Sequence, residues 1–296
     1  MATTPRVADP DRGAARGVRL FATGGREGCD RPTPLPAPDG PERCRGSVVC
    51  VGGAGSAMRR AENMDAAPAR PSTVHAAGRP LRALVTVGPT HEPIDEVRYL
   101  GNRSSGRMGM AIAESLAAEG CAVTVLAGPG VAAMGGLATE RFVTTADLGR
   151  LLDRHWPAHD LLVMAAAVAD YRPSRPASGK MRREDGPVTL SLEPTPDLLA
   201  GLASRTGPGR FIVGFALERP DELEASARRK LARKGVDAIV ANPIDTMDAD
   251  DVEATLFLRD GSVRSPGPGR LPKRAFARWL ARTVVPMAAD RPAARA

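Results

Sequence analysis

Aromatic residues make up only 3% of this 296-residue chain, lysine and cysteine occur four times each, and no uninterrupted apolar run reaches about 18 residues. Each scarcity excludes something. Without a long apolar run no membrane-spanning helix is expected, and the opening MATTPRVADPDRG lacks the apolar centre of a secretory signal, so the expectation is a cytoplasmic protein. The cysteines, Cys29, Cys44, Cys50 and Cys121, show no C-x-x-C and no paired-histidine spacing, which argues against a zinc site or a disulfide framework. Cys121 reads as a small buried hydrophobe. What is present, 43% hydrophobic and 25% charged residues over a length able to bury a full core, excludes disorder throughout.

The net charge of +7 invites a nucleic-acid reading until it is located. Residues 1–80 carry 12 arginines and 8 acidic residues, residues 264–296 carry 8 basic and 1 acidic, and residues 81–263 carry 21 basic against 25 acidic. The excess sits at the ends. The acidic middle lacks the interleaved cations and rings of a nucleic-acid surface, so no nucleic-acid partner is expected. Arginine outnumbers lysine 37 to 4. Each surviving lysine, Lys180, Lys230, Lys234 or Lys273, therefore hints that a compact ammonium is wanted there rather than a planar guanidinium.

Residues 1–80 are rich in Pro, Gly, Arg and Ala without sustained periodicity, and are expected to be a disordered extension. Within it SVVCVGGAGSAMRRAE resembles a strand and glycine turn before a helix, but no alternating elements follow; Met58 or Met64 is a candidate true start. From residue 81 the pattern changes. Strands are expected in LRALVTVG, CAVTVLAGPG, around RFVT, in DLLVMAAAV, VTLSLE, RFIVGFA and VDAIVANPI, and a hairpin in ATLFLRDGSVRS. Helices are expected in GRMGMAIAESLAAEG, TADLGRLLDRHW, just after Pro196, in DELEASARRKLARKG and in LPKRAFARWLARTV. This alternation predicts an α/β domain over residues 81–286, a Rossmann-like, mostly parallel sheet flanked by helices, with a small hairpin or dimerisation element and a flexible tail from 287 to 296. Ligands of such sheets sit beyond the carboxyl ends of the strands, which directs attention to the loops after Val87, Ala166 and Phe215.

After the first strand, Asn102-Arg103-Ser104-Ser105-Gly106 opens directly into a helix, where backbone N–H groups and the helix dipole favour an anion. The same Ser104, Ser105 and Gly106 also read as plain caps of an ordinary helix. The glycine spacing is not that of a G-x-G-x-x-G dinucleotide loop. Ala165, Ala166 and Ala167 leave room for a flat ring, and Asp170 can accept from an amino group, help hold a metal or cap a turn. Lys180, with Arg182 and Arg183 behind it, reads as a mobile cationic arm or as a solvated charge run. Lys230 and Lys234 lie at i, i+4 on one helix face, where they repel unless an anion lies between them or acidic neighbours such as Glu222 and Glu224 compensate.

The order GPTHEPIDEVRYLGNRSSGRMG, AAAVADYRP, K-M-R-R, PTPDLL, VGFALE, RRKLARKGVDAIVAN closely resembles phosphopantothenoylcysteine synthetase, a family acting in coenzyme A assembly, over about residues 81–285. The resemblance implies a stand-alone form without the fused flavin-dependent decarboxylase domain, hence no flavin, and a separate decarboxylase as a partner. It implies a homodimer joining 4′-phosphopantothenate to cysteine through an acyl-cytidylate, with CTP as co-substrate and Mg²⁺ or Mn²⁺ held by ligands that the sequence does not identify. By position, Asn102 would contact the acyl part, Ser104 to Gly106 phosphate, Ala165 to Ala167 the nucleotide, and Asp170 the cytosine or ribose. Lys180 would serve turnover, while Pro196, Asp197, Leu198, Leu199, Phe215, Lys230 and Lys234 would complete the nucleotide contacts. The chain departs from the family in having Lys180-Met181-Arg182-Arg183 for K-x-K-K, GFALE for GFAAE, Pro243-Ile244 after Asn242, and DTMDADDVEA before the last hairpin. These departures leave a catalytically weakened nucleotide- or phosphopantetheine-binding paralogue as the alternative, with an NAD-dependent reductase behind it.

Overall fold

The computed structural model describes residues 78–292 apart from 133, 134 and 248, together with the two-residue strand Val18–Arg19. The expected disorder of residues 1–80 and the SVVCVGGAGSAMRRAE segment thus fall almost wholly outside the described residues. The central sheet has eight strands, here β1 Arg82–Val87, β2 Ala122–Ala127, β3 Ala138–Arg141, β4 Leu161–Met164, β5 Phe211–Glu218, β6 Ala238–Pro243, β7 Thr255–Leu258 and β8 Val263–Arg264. Their order is β8-β7-β6-β5-β4-β1-β2-β3. Strands β1 to β6 are parallel, β7 runs antiparallel to β6, and β8 runs antiparallel to β7. The chain thus runs outward from β1 to β3, then returns to the other side of β1 as β4, and the gap between β1 and β4 is the switch point of a doubly wound sheet.

Both faces of the sheet are covered, which is why β1 and β4 read as continuous apolar runs rather than alternating ones. Helices α1 Arg107–Ala118 and α5 Lys273–Ala289 cover one face, burying Ile112, Leu116, Phe276, Leu280 and Val284 against Val85, Val125, Val163 and Val240. Helices α2 Thr145–His155, α3 Leu198–Ala203 and α4 Leu223–Lys234 cover the other, with Leu148, Leu152, Leu199 and Ala227 against Leu84, Leu126, Leu162 and Ile239. Successive residues of one strand serve opposite cores, so a one-residue slip would exchange the two.

Four boundaries differ from expectation. The strand expected around RFVT runs instead over Ala138–Arg141 and ends before Thr144, which is committed as the N-cap of α2: its hydroxyl accepts from the Asp147 N–H at 3.1 Å, and its own N–H donates to the Asp147 carboxylate at 2.9 Å. The apolar run DLLVMAAAV leaves the sheet after Met164, since the next backbone groups turn aside to bond the segment after β1. VTLSLE stays out of the central sheet: Leu192–Pro194 pairs with Tyr171–Pro173, and Thr189–Leu190 with Val18–Arg19. The tail expected to be free from residue 287 is docked further along, because α5 continues to Ala289, Ala288 is fully buried, and Arg291 donates to the buried Asp237 carboxylate at 2.5 Å.

Cys121 is buried at the entry to β2, and that burial pushes its thiol up to about 11. His159 is also buried, its Nδ1 2.7 Å from the His155 carbonyl oxygen and its Nε2 3.0 Å from the Thr124 hydroxyl. A carbonyl can only accept, so Nδ1 carries a proton, and in the neutral ring Nε2 accepts from the Thr124 hydroxyl. Burial holds its pKa below the ordinary histidine value of 6.5. The unfolded chain therefore binds this proton first, and the stability that His159 contributes, complete above about pH 6.5, falls as pH drops below it. Thermal melts from pH 7.5 to 5 should show this decline, and His159→Gln should flatten it.

Candidate active site

A cleft of about 880 Å³ lies beyond the carboxyl ends of the strands at the β1/β4 switch point. Three segments build its walls: residues 101–109 at the start of α1, residues 164–170 after β4, and residues 195–199 leading into α3. Phe215 to Leu217 of β5, the lysines of α4 and residues of the 242–252 segment close it.

Its first wall depends on a stitch of hydrogen bonds between the chain leaving β1 and the chain leaving β4. The Ala166 N–H donates to the Thr86 hydroxyl at 3.1 Å, the Ala167 N–H to the Gly88 carbonyl at 2.9 Å, and the Ala169 N–H to the Thr90 hydroxyl at 2.9 Å. In return Thr90 N–H donates to the Ala167 carbonyl at 3.2 Å, and Asn102 Nδ2 to the Val168 carbonyl at 2.8 Å. Glu92, only 3% exposed, anchors the far end by accepting from the Thr145 N–H at 2.8 Å and the Thr145 hydroxyl at 2.7 Å. Gly88, at φ 85°, could not carry a side chain here, since a Cβ would stand 2.4 Å from Val131 Cγ2.

The second wall is the start of α1. Its N-cap is Gly106 in the left-handed region, φ 73°, and no side chain caps the helix. Ser104 instead accepts weakly from the Gly106 N–H at 3.4 Å. The capping reading of the two serines therefore fails, and the end of the helix faces the cleft as an anion-favouring terminus. Packing is close at two of these positions: a Cβ on Gly106, which is also in the left-handed region, would meet Val131 at 2.8 Å, and one on Gly109 would sit tightly against Val87 at 3.0 Å.

The third wall carries charge. Lys230 pairs with Glu218 at 2.5 Å, and Lys234 with both oxygens of Asp197 at 2.8 Å. The compensating acids are thus Glu218 and Asp197, brought from β5 and the α3 cap, whereas Glu224 is taken by Arg228 at 2.9 Å. Asp197 also caps α3 by accepting from the Ala200 N–H at 3.1 Å. Burial would raise its pKa, but the Lys234 ammonium and that N–H outweigh it and hold the carboxyl below the ordinary range. Asp170 lines the cleft with a carboxylate that has no hydrogen bond or ion pair among the described residues.

Of the residues expected to form the site, Asn102, Ser104, Ser105, Gly106, Ala165, Ala166, Ala167, Asp170, Pro196, Asp197, Leu198, Leu199, Phe215, Lys230 and Lys234 all line this one cleft. Lys180 does not. Its loop is tied to the ribbon formed by His91–Pro93 and Tyr99–Gly101: Gly179 N–H donates to Glu96 and Met181 N–H to Asp95, both at 3.2 Å, and Arg98 donates to the Met181 carbonyl. Sequence reasoning passed over Arg107, Arg233, Asn242 and Lys273, which also line the cleft. The scarcity of lysine could have pointed to Lys273, the one lysine given no role.

Fold and cleft together define the class: a doubly wound α/β domain with an anion-favouring site at its switch point. The family model described as DNA/pantothenate metabolism flavoprotein C-terminal domain matches residues 79–287, and the chain belongs to that family, as a member of the phosphopantothenoylcysteine synthetases that its motifs resemble. It is 40% identical over 200 residues to the coenzyme A biosynthesis bifunctional protein CoaBC of Mycobacterium tuberculosis, covering 63% of this chain and 47% of that protein. It is 38% identical over 187 residues to CoaBC of Bacillus subtilis, covering 61% and 46%. The chain thus spans about half the length of the curated relatives it matches. Among solved structures, the C-terminal domain of a CoaBC protein superposes with a TM-score of 0.60 at 31% identity, covering 71% of this chain and 98% of that one. A Cab2 variant in complex with phosphopantothenate-cysteine shares the fold, with a TM-score of 0.59 at 18% identity over 70% and 87% of the two chains.

Glu92 touches none of the cleft, yet its carboxylate fixes the segment that does. Glu92→Ala should strand the buried Thr145 donors and cost about 2–4 kcal/mol in a denaturant titration. Glu92→Gln, which keeps one acceptor, should cost less than half of that.

Proposed function

We propose that this domain is a phosphopantothenate–cysteine ligase that activates its acid with CTP. The observation carrying this reading is the convergence, in one cleft at the switch point of a chain of this family, of Asn102, an uncapped helix start and the Lys230–Lys234 pair. In the first half-reaction a carboxylate oxygen of 4′-phosphopantothenate attacks the α-phosphorus of CTP and pyrophosphate leaves. In the second, the amine of cysteine attacks the resulting acyl carbon, an amide forms and CMP leaves.

Both steps require the protein to align two anions and offset charge on the departing group. The cleft is lined accordingly, with N–H groups, lysines and arginines, and with no histidine or cysteine among the described residues. The uncapped start of α1 would take phosphate oxygens, Ala165 to Ala167 would flank the base, and Asn102 would donate to the acyl part. The two lysines are already neutralised by Glu218 and Asp197, so phosphate binding there replaces or shares existing partners rather than filling a bare positive site.

Among the described residues no cluster of three acidic, histidine or cysteine side chains could hold a metal alone. That suits Mg²⁺ carried in by nucleotide phosphates, which needs only one or two carboxylates from the protein; Asp170 is the lining carboxylate able to contribute. The metal would offset charge on the pyrophosphate. A cytoplasmic homodimer, with a separate decarboxylase using the product, completes the proposal.

The deciding measurement is pyrophosphate release with 4′-phosphopantothenate, Mg²⁺ and either CTP or ATP, followed by cysteine-dependent product. Release with CTP exceeding that with ATP supports the ligase; CTP binding without release would identify a weakened paralogue. Lys180 would have to leave its ribbon to reach the cleft. If it does so during turnover, Lys180→Gln should lower kcat by at least about a hundredfold with an unchanged melting temperature; unaltered kcat would remove Lys180 from the mechanism.

A further inference from the structure

Residues of the segment after Ile244, DTMDADDVEA, lie against the cleft. Its two ends are fixed. Asn242 Nδ2 donates to the Thr246 hydroxyl at 2.8 Å, which itself donates to the Pro243 carbonyl at 2.7 Å. Asp251–Val252 pairs with Leu271–Pro272 just before α5. Between them Lys273 holds the backbone, its N–H donating to the Asp250 carbonyl at 3.0 Å and its ammonium to the Ala249 carbonyl. The Asp250 side chain is left 90% exposed, and it forms an ion pair with Arg107, the first residue of α1. Arg107 lines the cleft and also donates through Nε to the Ser105 hydroxyl at 3.2 Å.

A carboxylate therefore sits on the guanidinium at the mouth of the anion-favouring helix terminus. Both partners are substantially exposed, at 46% for Arg107 and 90% for Asp250, so the pair is of the weak, exchangeable kind. A phosphate carries more charge than a carboxylate and also meets a guanidinium with two oxygens, so it can displace one from such a pair. We propose that Arg107 is a phosphate-binding residue of the cleft and that Asp250 is its resting counter-ion, exchanged for a polyphosphate when ligand enters. The acidic segment thereby sets a threshold for polyphosphate binding. This rests on the proposed function only for the identity of the ligand as a nucleotide.

Two probes separate the claims: CTP, and inorganic tripolyphosphate, which has the phosphates but no base. Calorimetric titration at low ionic strength of the full chain and its Asp250→Asn, Arg107→Gln and doubly substituted variants provides the test. Asp250→Asn should tighten both probes about three- to tenfold, and Arg107→Gln should weaken them about tenfold. In the Arg107→Gln background Asp250→Asn should matter by less than about twofold, because the carboxylate then has no guanidinium to occupy. Unchanged affinity in Asp250→Asn, or equal tightening with and without Arg107, would overturn the exchange. If tripolyphosphate shows the coupling while CTP fails to bind the unsubstituted chain, the exchange stands and the nucleotide reading falls. Failure of both probes to bind counts against both.

Discussion

The cleft exists because the chain leaving β1 and the chain leaving β4 are hydrogen-bonded to each other beyond the edge of the sheet. At a switch point the two crossovers run in opposite directions, and the strand ends would otherwise part there. The Thr86, Gly88, Thr90 and Asn102 bonds to residues 166–169 hold them together, and the buried Glu92–Thr145 contact anchors the same strap to α2. Backbone groups in an irregular loop need partners when water is excluded, and hydroxyls on the first segment supply them to the second. Every other wall is placed relative to this seam.

The same seam explains why small residues gather there. Alanines at 165–167 let the two segments approach, Gly88 and Gly106 admit contacts that a Cβ would block, and Gly109 packs tightly on Val87. Around this rigid centre the charges are less fixed. Lys230, Lys234 and Arg107 each have an acidic partner drawn from another element, which offsets part of the cleft's positive charge. Specific and reversible anion binding is easier to reconcile with such paired cations than with a bare positive patch, which would attract any polyanion.

Much of the arrangement was legible in the chain. The period of apolar residues identified the five helices and five of the six parallel strands, the third being expected at RFVT, which meets the observed strand only at Arg141, and the motif order brought the family with it. Legibility failed where a local preference met a tertiary demand. Ser104 and Ser105 look like caps, yet the glycine that follows takes the cap position because Val87 and Val131 leave no room for anything larger. DLLVMAAAV looks like one strand, but its last alanines are claimed by the seam. The lysine count pointed to the cleft with three of four residues, although they are Lys230, Lys234 and Lys273 rather than Lys180.

By itself, then, the sequence determined the class of fold, the order of its elements and which residues could serve an anion, because periodicity, glycine placement and residue chemistry are local properties. Only the tertiary structure decided which acid faces which base. Glu218 rather than Glu222 meets Lys230, Asp197 meets Lys234, and Asp250 meets Arg107 from 143 positions away. Ion pairs follow distances of a few ångströms in space, and no periodicity along the chain encodes which distant segments the sheet brings to that separation.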